Sequence, residues 1–295
     1  MGRLLEASLT AVAHLPMSVL YALSDGCYAL LYHGVRYRRK LVRRNLTRAY
    51  PTKSEKEIRQ VEKGFYRHLC HYVVETVKLL HITDEEMRQR LEFRNIELME
   101  RLREDGKPLF VYLGHYGNWE FVTSITLWCQ SGLEACQVYH PLSSKGMDRL
   151  MLKLRGRFRS TGIAQSDTFK TLLRMKNEGR QPMVGLIADQ RPLRRHHEVW
   201  TSFMRQPTAI ITGSERIGRR MDAHFVYADM EVVSRGHYAI TLREMVPDPT
   251  DEFSISKEYM RLLEQTIDRA PQYYLWSHNR WKYRLDENGN AVFNN

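Results

Sequence analysis

After Pro108 the chain is punctuated by five short apolar runs: LFVYL (109–113), ACQVYH (135–140), MVGLIA (183–188), AHFVYADME (223–231) and YAITLREM (238–245). Each has the length of a buried strand, and stretches with helical spacing separate them: Trp119 to Gln130, Met147 to Arg159, Thr168 to Asn177 and Ala209 to Arg219, with Glu258 to Arg269 closing the series. Strands alternating with helices bury two layers against one sheet. The pattern therefore predicts an α/β domain with a mixed or mainly parallel sheet flanked by helices.

The texture before Pro108 is different. From about Ser54 to Arg103 the chain is rich in Glu, Lys, Arg, Leu and Val, and Phe65, Leu69, Tyr72, Val73 and Val77 recur at helical spacing. Two or three helices are expected there. Ser54 followed by Glu57 reads as a capping box, and Thr83 with Glu86 offers a second start. There is no internal repeat and no Ser/Gly linker. The expected organisation is an N-terminal membrane anchor (1–34), a helical collar (35–107) and an α/β core (108–295), the last two forming one domain.

The anchor rests on ASLTAVAHLPMSVLYALS, from Ala7 to Ser24, which holds no formally charged residue. That is the length at which an apolar stretch becomes a candidate membrane helix, although His14 and Pro16 weaken it. Glu6 and the lack of a compact apolar core argue for retention rather than cleavage as a signal peptide. Arg36, Arg38, Arg39, Lys40, Arg43, Arg44 and Arg48 follow closely. Such a cluster suits anionic headgroups and marks a cytoplasmic side, and a solvated basic helix face is the plain alternative. With 45 Lys+Arg against 34 Asp+Glu the net charge is +11, which implies a polyanionic partner: nucleic acid, an anionic membrane or a substrate bearing phosphates. The four cysteines show no CxxC spacing, which favours reduced thiols in a cytoplasm-facing protein.

The sharpest chemical signal is PLFVYLGHYGNWEF. An apolar strand ends at Gly114, His115 follows, and Glu120 lies five positions on. On one regular helix a spacing of five separates two side chains by about 140°. Gly114 and Gly117 allow a tight turn instead, from which Glu120 can fold back against His115. A histidine held by a carboxylate is an oriented base able to deprotonate a hydroxyl. A structural histidine beside a helix-dipole glutamate is the competing reading.

GHYGNWE resembles the HxxxxD/E motif of the lysophospholipid acyltransferase superfamily, in particular its lipid A late-acyltransferase branch, which uses Glu. Further blocks resemble that branch in the same order: RRNLTRAYP, VYHPLSSKGMDRLMLKLRGRFRS, IADQRP, SFMRQPTAIITG and PQYYLWSHNRWKYR, covering about residues 40–284. The resemblance implies a glycerolipid-acyltransferase-like α/β fold at the bacterial inner membrane, active domain on the cytoplasmic face. The implied reaction moves a fatty acyl chain from acyl carrier protein, or from acyl-CoA, to a hydroxyl of an anionic lipid A precursor, without a cofactor or a metal. His115 would be the base, Glu120 would hold its ring, and Arg157 or Arg159 of the GRFRS block would meet the oxyanion. Asn118, His140, Asp189, Gln190, Arg191 and Arg280 fall in blocks expected to bind substrate, and the cluster Arg194, Arg195, His196 and His197 could grip acceptor phosphates. His140 stands where the branch has Arg, and Met204-Arg205 replace Phe-Gly, which puts the acceptor's identity in doubt more than the reaction.

Other signals carry less. His68, Cys70, His71 and His81 lack metal-ligand spacing and read as a buried helix face. Tyr273, Tyr274, Trp276, Trp281 and Tyr283, interleaved with basic residues, suit either a lipid interface or a platform for single-stranded nucleic acid. Acylation of another lysolipid is the second enzymatic reading, and a basic nucleic-acid-binding protein the non-enzymatic one.

Overall fold

The computed structural model describes residues 2–129, 133–193, 199–287 and 291–293. A mixed α/β architecture results, built on a seven-stranded sheet. Its strands are β1 (Leu91–Arg94), β2 (Leu109–Leu113), β3 (Glu134–Tyr139), β4 (Thr161–Ala164), β5 (Pro182–Ile187), β8 (His224–Ser234) and β9 (His237–Met245), in the order β1-β9-β8-β2-β5-β3-β4. Every neighbouring pair is parallel except the β8–β9 hairpin. β2 lies at the centre with all five residues buried, as expected of a parallel strand covered on both faces. A small antiparallel hairpin, β6 (Trp200–Phe203) and β7 (Gln206–Ala209), stands apart from the sheet.

The five apolar runs all become strands of this sheet. Two further strands come from segments too short or too charged to announce themselves. One of them, β1, lies inside the stretch expected to be helical throughout.

Helices cover the sheet. The long α4 (Glu55–Lys78) starts at the capping box, where Ser54 accepts from the Glu57 N–H and Glu57 accepts from the Ser54 N–H at 2.8 Å. α7 (Lys145–Arg155), α8 (Thr168–Asn177), α9 (Gly213–Met221) and α10 (Ser254–Arg269) follow the expected helical stretches. Trp119–Leu127 winds instead as a 3₁₀ helix. It is rich in β-branched residues, which lower α-helical propensity.

The N-terminal apolar stretch does not form one span. Pro16 ends α1 (Gly2–Ala13) and caps α2 (Met17–Ala29), and no described helix is long and apolar enough to cross a membrane. The expected N-terminal anchor is thus two short helices rather than one long helix. They pack on α4: Ala13, Leu20 and Ser24 are buried, and Lys78 donates to the carbonyls of Ala13 and Leu15, both at 3.2 Å. A short π-helical turn, Leu30–Val35, and two left-handed residues, Arg36 and Arg38, lead to α3 (Arg39–Ala49).

Two glycines shape the segment after β2. A Cβ on Gly114 would stand 2.3 Å from Leu263 of α10, and one on Gly117, whose φ is +58°, would stand 2.5 Å from Met230 Sδ. Close approach of α10 requires the first, and a left-handed backbone the second. Gly114→Ala is expected to destabilise the fold by about 1–3 kcal/mol, the usual cost of overpacking a core. Urea denaturation checks this against Gly156→Ala, which meets nothing within 4 Å and should leave the midpoint unchanged.

Candidate active site

β2 and β5 run side by side in parallel, with Leu113 paired to Ile187. Their C-terminal ends therefore release two loops next to each other, and His115 and Asp189 occupy the second position of each. Parallel α/β sheets carry their functional groups at this edge. The pairing brings the two together: His115 Nδ1 lies 2.6 Å from Asp189 Oδ1, and the His115 backbone N–H donates to Asp189 Oδ2 at 2.9 Å. Asp189 is 1% exposed. Burial on its own raises its carboxyl, but the facing imidazole, the two bonds from His115 and the nearby Arg280 guanidinium outweigh that and hold it below the ordinary aspartate range.

An ionised Asp189 fixes the tautomer of the ring, with Nδ1 protonated and Nε2 carrying the free lone pair. Nε2 faces the Gln190 amide at 3.2 Å. His115 keeps 18% of its side-chain surface exposed, and Trp119 meets its ring edge-on at 5.0 Å between centroids. A narrow, mostly apolar slot with Phe65, Leu69, Tyr72, Trp119, Tyr274 and Leu275 among its walls lies beside this turn.

The C-terminal segment braces the same turn from the other side. Gly117 N–H donates to the Tyr273 carbonyl at 3.0 Å, and Leu275 N–H to the His115 carbonyl at 3.1 Å, making an antiparallel bridge between Tyr116 and Tyr274. Tyr274, Trp276 and Trp281 are buried. The aromatic residues expected as a stacking or lipid-facing platform are thus largely core.

Residues 4–283 match the family model described as bacterial lipid A biosynthesis acyltransferase. The chain belongs to the lipid A biosynthesis acyltransferase family. It is similar to the lipid A biosynthesis palmitoleoyltransferase of Escherichia coli K12, 23% identical over 273 residues, covering 92% of this chain and 87% of that protein. The lipid A biosynthesis acyltransferase of Shigella flexneri matches to the same extent. As a family member, the chain is an acyltransferase.

The remaining sequence-predicted residues separate into those near the acyltransferase's turn and those away from it. Glu120, expected on the His115 ring, is buried and accepts both bonds of a bidentate pair with Arg155, at 2.8 and 2.7 Å. Asp189 takes the place expected of it, because strand register puts the neighbouring loop closer to the ring than the 3₁₀ turn does. Neither Arg157 nor Arg159 is the arginine tied to the turn. Arg157 donates to the Ile82 carbonyl at 2.9 Å and lies 3.3 Å from Asp84, and Arg159 is exposed with φ +64°. Arg155 is tied to it through Glu120, and nothing in the LRGRFRS string distinguished it.

Asn118 is fully buried and donates to Glu75 at 3.0 Å. Arg280 is buried, donates to the Ala209 carbonyl at 2.6 Å, and contributes its charge to Asp189. Arg191 lies at the rim: its backbone N–H donates to His278 Nε2 at 3.3 Å and its guanidinium stands over Tyr283. His140 is exposed and meets only the Pro141 carbonyl among the bonds described. Arg194, Arg195, His196 and His197 fall outside the described residues.

Two histidines, His68 buried and His278 half-buried, brace the site without charge. Burial lowers both His68 and His278 to about 4, although the Gly117 carbonyl pulls the first up and Asp189 the second. Below pH 6.5 the unfolded chain takes up protons that these native imidazoles refuse, so native stability falls as pH drops towards 4, by about 1.4 kcal/mol per unit for each. Urea midpoints at pH 7 and 5 should therefore diverge in the wild type, and His278→Gln should flatten that dependence.

Proposed function

We propose that this acyltransferase moves a fatty acyl chain from an acyl carrier protein thioester to a hydroxyl of a lipid A precursor, at the cytoplasmic face of the bacterial inner membrane. The observation that carries the chemistry is the His115–Asp189 pair at the sheet's C-terminal edge. Asp189 holds Nδ1–H, so Nε2 is free to take the proton of the acceptor hydroxyl as that group displaces the Gln190 amide. The alkoxide attacks the thioester carbonyl, a tetrahedral oxyanion forms, and the C–S bond breaks. The leaving thiolate then recovers the proton from His115, which closes the cycle without an enzyme nucleophile. The Gln190 amide, once displaced from Nε2, is an N–H donor within reach of the oxyanion. Glu120 and Arg155 act by fixing the turn against α7.

A stripe on α2 and its extension supports membrane residence. Val19, Leu23 and Leu30 recur at helical spacing and are 42%, 50% and 65% exposed. Val35 and Tyr37 continue the patch, with Arg36, Arg38 and Lys40 exposed around it. Arg39 and Arg43 instead pair with the buried Glu62. Apolar residues rimmed by cations suit a helix lying in an anionic lipid interface rather than crossing it.

With acyl carrier protein or coenzyme A thioester as donor and a lipid A precursor as acceptor, mass spectrometry should find one added acyl chain. His115→Ala and Asp189→Asn should each lower kcat about 10²–10⁴-fold while the proteins stay folded. Near-normal turnover of His115→Ala would reject the mechanism.

A double Leu23→Glu, Leu30→Glu variant leaves the packed face of α2 intact. It should lose flotation with vesicles containing anionic phospholipid, where the wild type floats. Equal flotation of both proteins places the docking surface elsewhere.

A further inference from the structure

Three consecutive residues of the catalytic turn are held by one face of α4. His68, Tyr72 and Glu75 stand at i, i+4 and i+7, so they share that face. His68 Nε2 meets the Gly117 carbonyl at 3.1 Å, and the neutral ring donates to it. Tyr72 stacks on Trp119 at 4.1 Å between centroids. Glu75, 1% exposed, accepts from Asn118 Nδ2 at 3.0 Å. The same carboxylate accepts the Tyr238 hydroxyl of β9 at 2.6 Å and the Tyr21 hydroxyl of α2 at 2.9 Å.

A buried carboxylate is costly to desolvate, and here burial raises its pKa against the pull of three donors. Core packing alone would be served as well by an apolar residue of similar size. What an apolar residue could not do is hold the Asn118 amide. Asn118 lies between Gly117, whose left-handed backbone ends the turn, and Trp119, whose ring meets His115.

The geometry points to Glu75 as a positioning residue for the acyl-transfer base, acting through Asn118 to fix the Gly117–Asn118–Trp119 segment and thereby the His115 ring. This rests on the reading of His115 as the base. It changes the role of Asn118 from a substrate contact to a strut, and it extends the active site to α2 through Tyr21.

A carboxylate–amide exchange tests the link. Asn118→Asp sets two carboxylates against each other and should lower kcat at least tenfold with KM for the acyl donor unchanged. Glu75→Gln added to it restores one amide and one carboxylate across the same contact, and should return kcat to within about threefold of wild type. Tyr238→Phe removes a bond to the same carboxylate without touching Asn118, and should keep kcat within about twofold. All variants are assayed at a temperature where circular dichroism finds each fully folded.

Unchanged kcat in Asn118→Asp, or failure of the double variant to recover, overturns the proposal, the second outcome making Asn118 a direct substrate contact. A kcat loss in Tyr238→Phe equal to that of Asn118→Asp also overturns it, in favour of general stabilisation. If wild type and His115→Ala turn over equally, the assignment of the base fails instead, so the two failures are distinguishable.

Discussion

The register of two parallel strands places the candidate site of this protein. Because Leu113 and Ile187 are partners, the loops after β2 and β5 leave the sheet together, and a histidine and an aspartate at equal distance past the strand ends must meet. Sliding β5 by one residue would turn every alternate side chain to the other face and separate the pair. The register is secured by the uninterrupted burial of β2, which sits between β8 and β5 with hydrogen-bonding neighbours on both sides. What looks like a catalytic pair is thus a consequence of how the sheet's core is packed.

Buried carboxylates repeat this logic through the molecule. Glu62 receives Tyr32, Arg39 and Arg43 and so ties α3 and the π-helical turn to α4. Glu215 of α9 accepts the backbone N–H groups of Ile255 and Ser256, capping the start of α10, while Arg219 neutralises it. Asp229 of β8 takes Thr266 and Arg269 from α10, together with Arg243 of β9. Each acid meets partners on an element distant in sequence. Removing Arg219 would leave the Glu215 charge buried without its cation, which typically costs about 3–5 kcal/mol. Such contacts fix the position of a helix on the sheet in a way that apolar packing alone, being non-directional, does not.

The sequence was most legible where burial leaves a one-dimensional trace. The five apolar runs of the core, the capping box at Ser54 and the Gly114–His115–Gly117 turn could all be read from local pattern, and each is present. The β6–β7 hairpin could not. Its turn residues, Met204 and Arg205, both adopt positive φ without being Gly, Asn or Asp. Long-range contacts stabilise it instead: Arg205 pairs with Asp268, and the Met204 N–H donates to Glu264, both of α10. The partner of His115 was illegible for a related reason. Glu120 is its neighbour in sequence, but Asp189 is 74 residues away and comes close only through the sheet. A spacing of five along the chain says nothing about which carboxylate a parallel register delivers.

The motif glutamate nevertheless has a physical reason to be where it is. Buried at the start of the 3₁₀ helix, Glu120 can be neutralised only by a cation brought to it, and Arg155 supplies one from the last residue of α7. The bidentate pair therefore clamps the end of α7 against the segment carrying Trp119, which in turn meets both Tyr72 of α4 and the His115 ring. From the opposite side Tyr273 and Leu275 bond the backbone at Gly117 and His115. A loop with two glycines would by itself sample many conformations, at an ordering cost of about 1–2 kcal/mol per residue. Held by α4, by α7 through Glu120, and by the C-terminal segment, it is ordered before any substrate arrives. That cost is met by folding rather than by binding, and the proposed base is oriented in advance of the reaction.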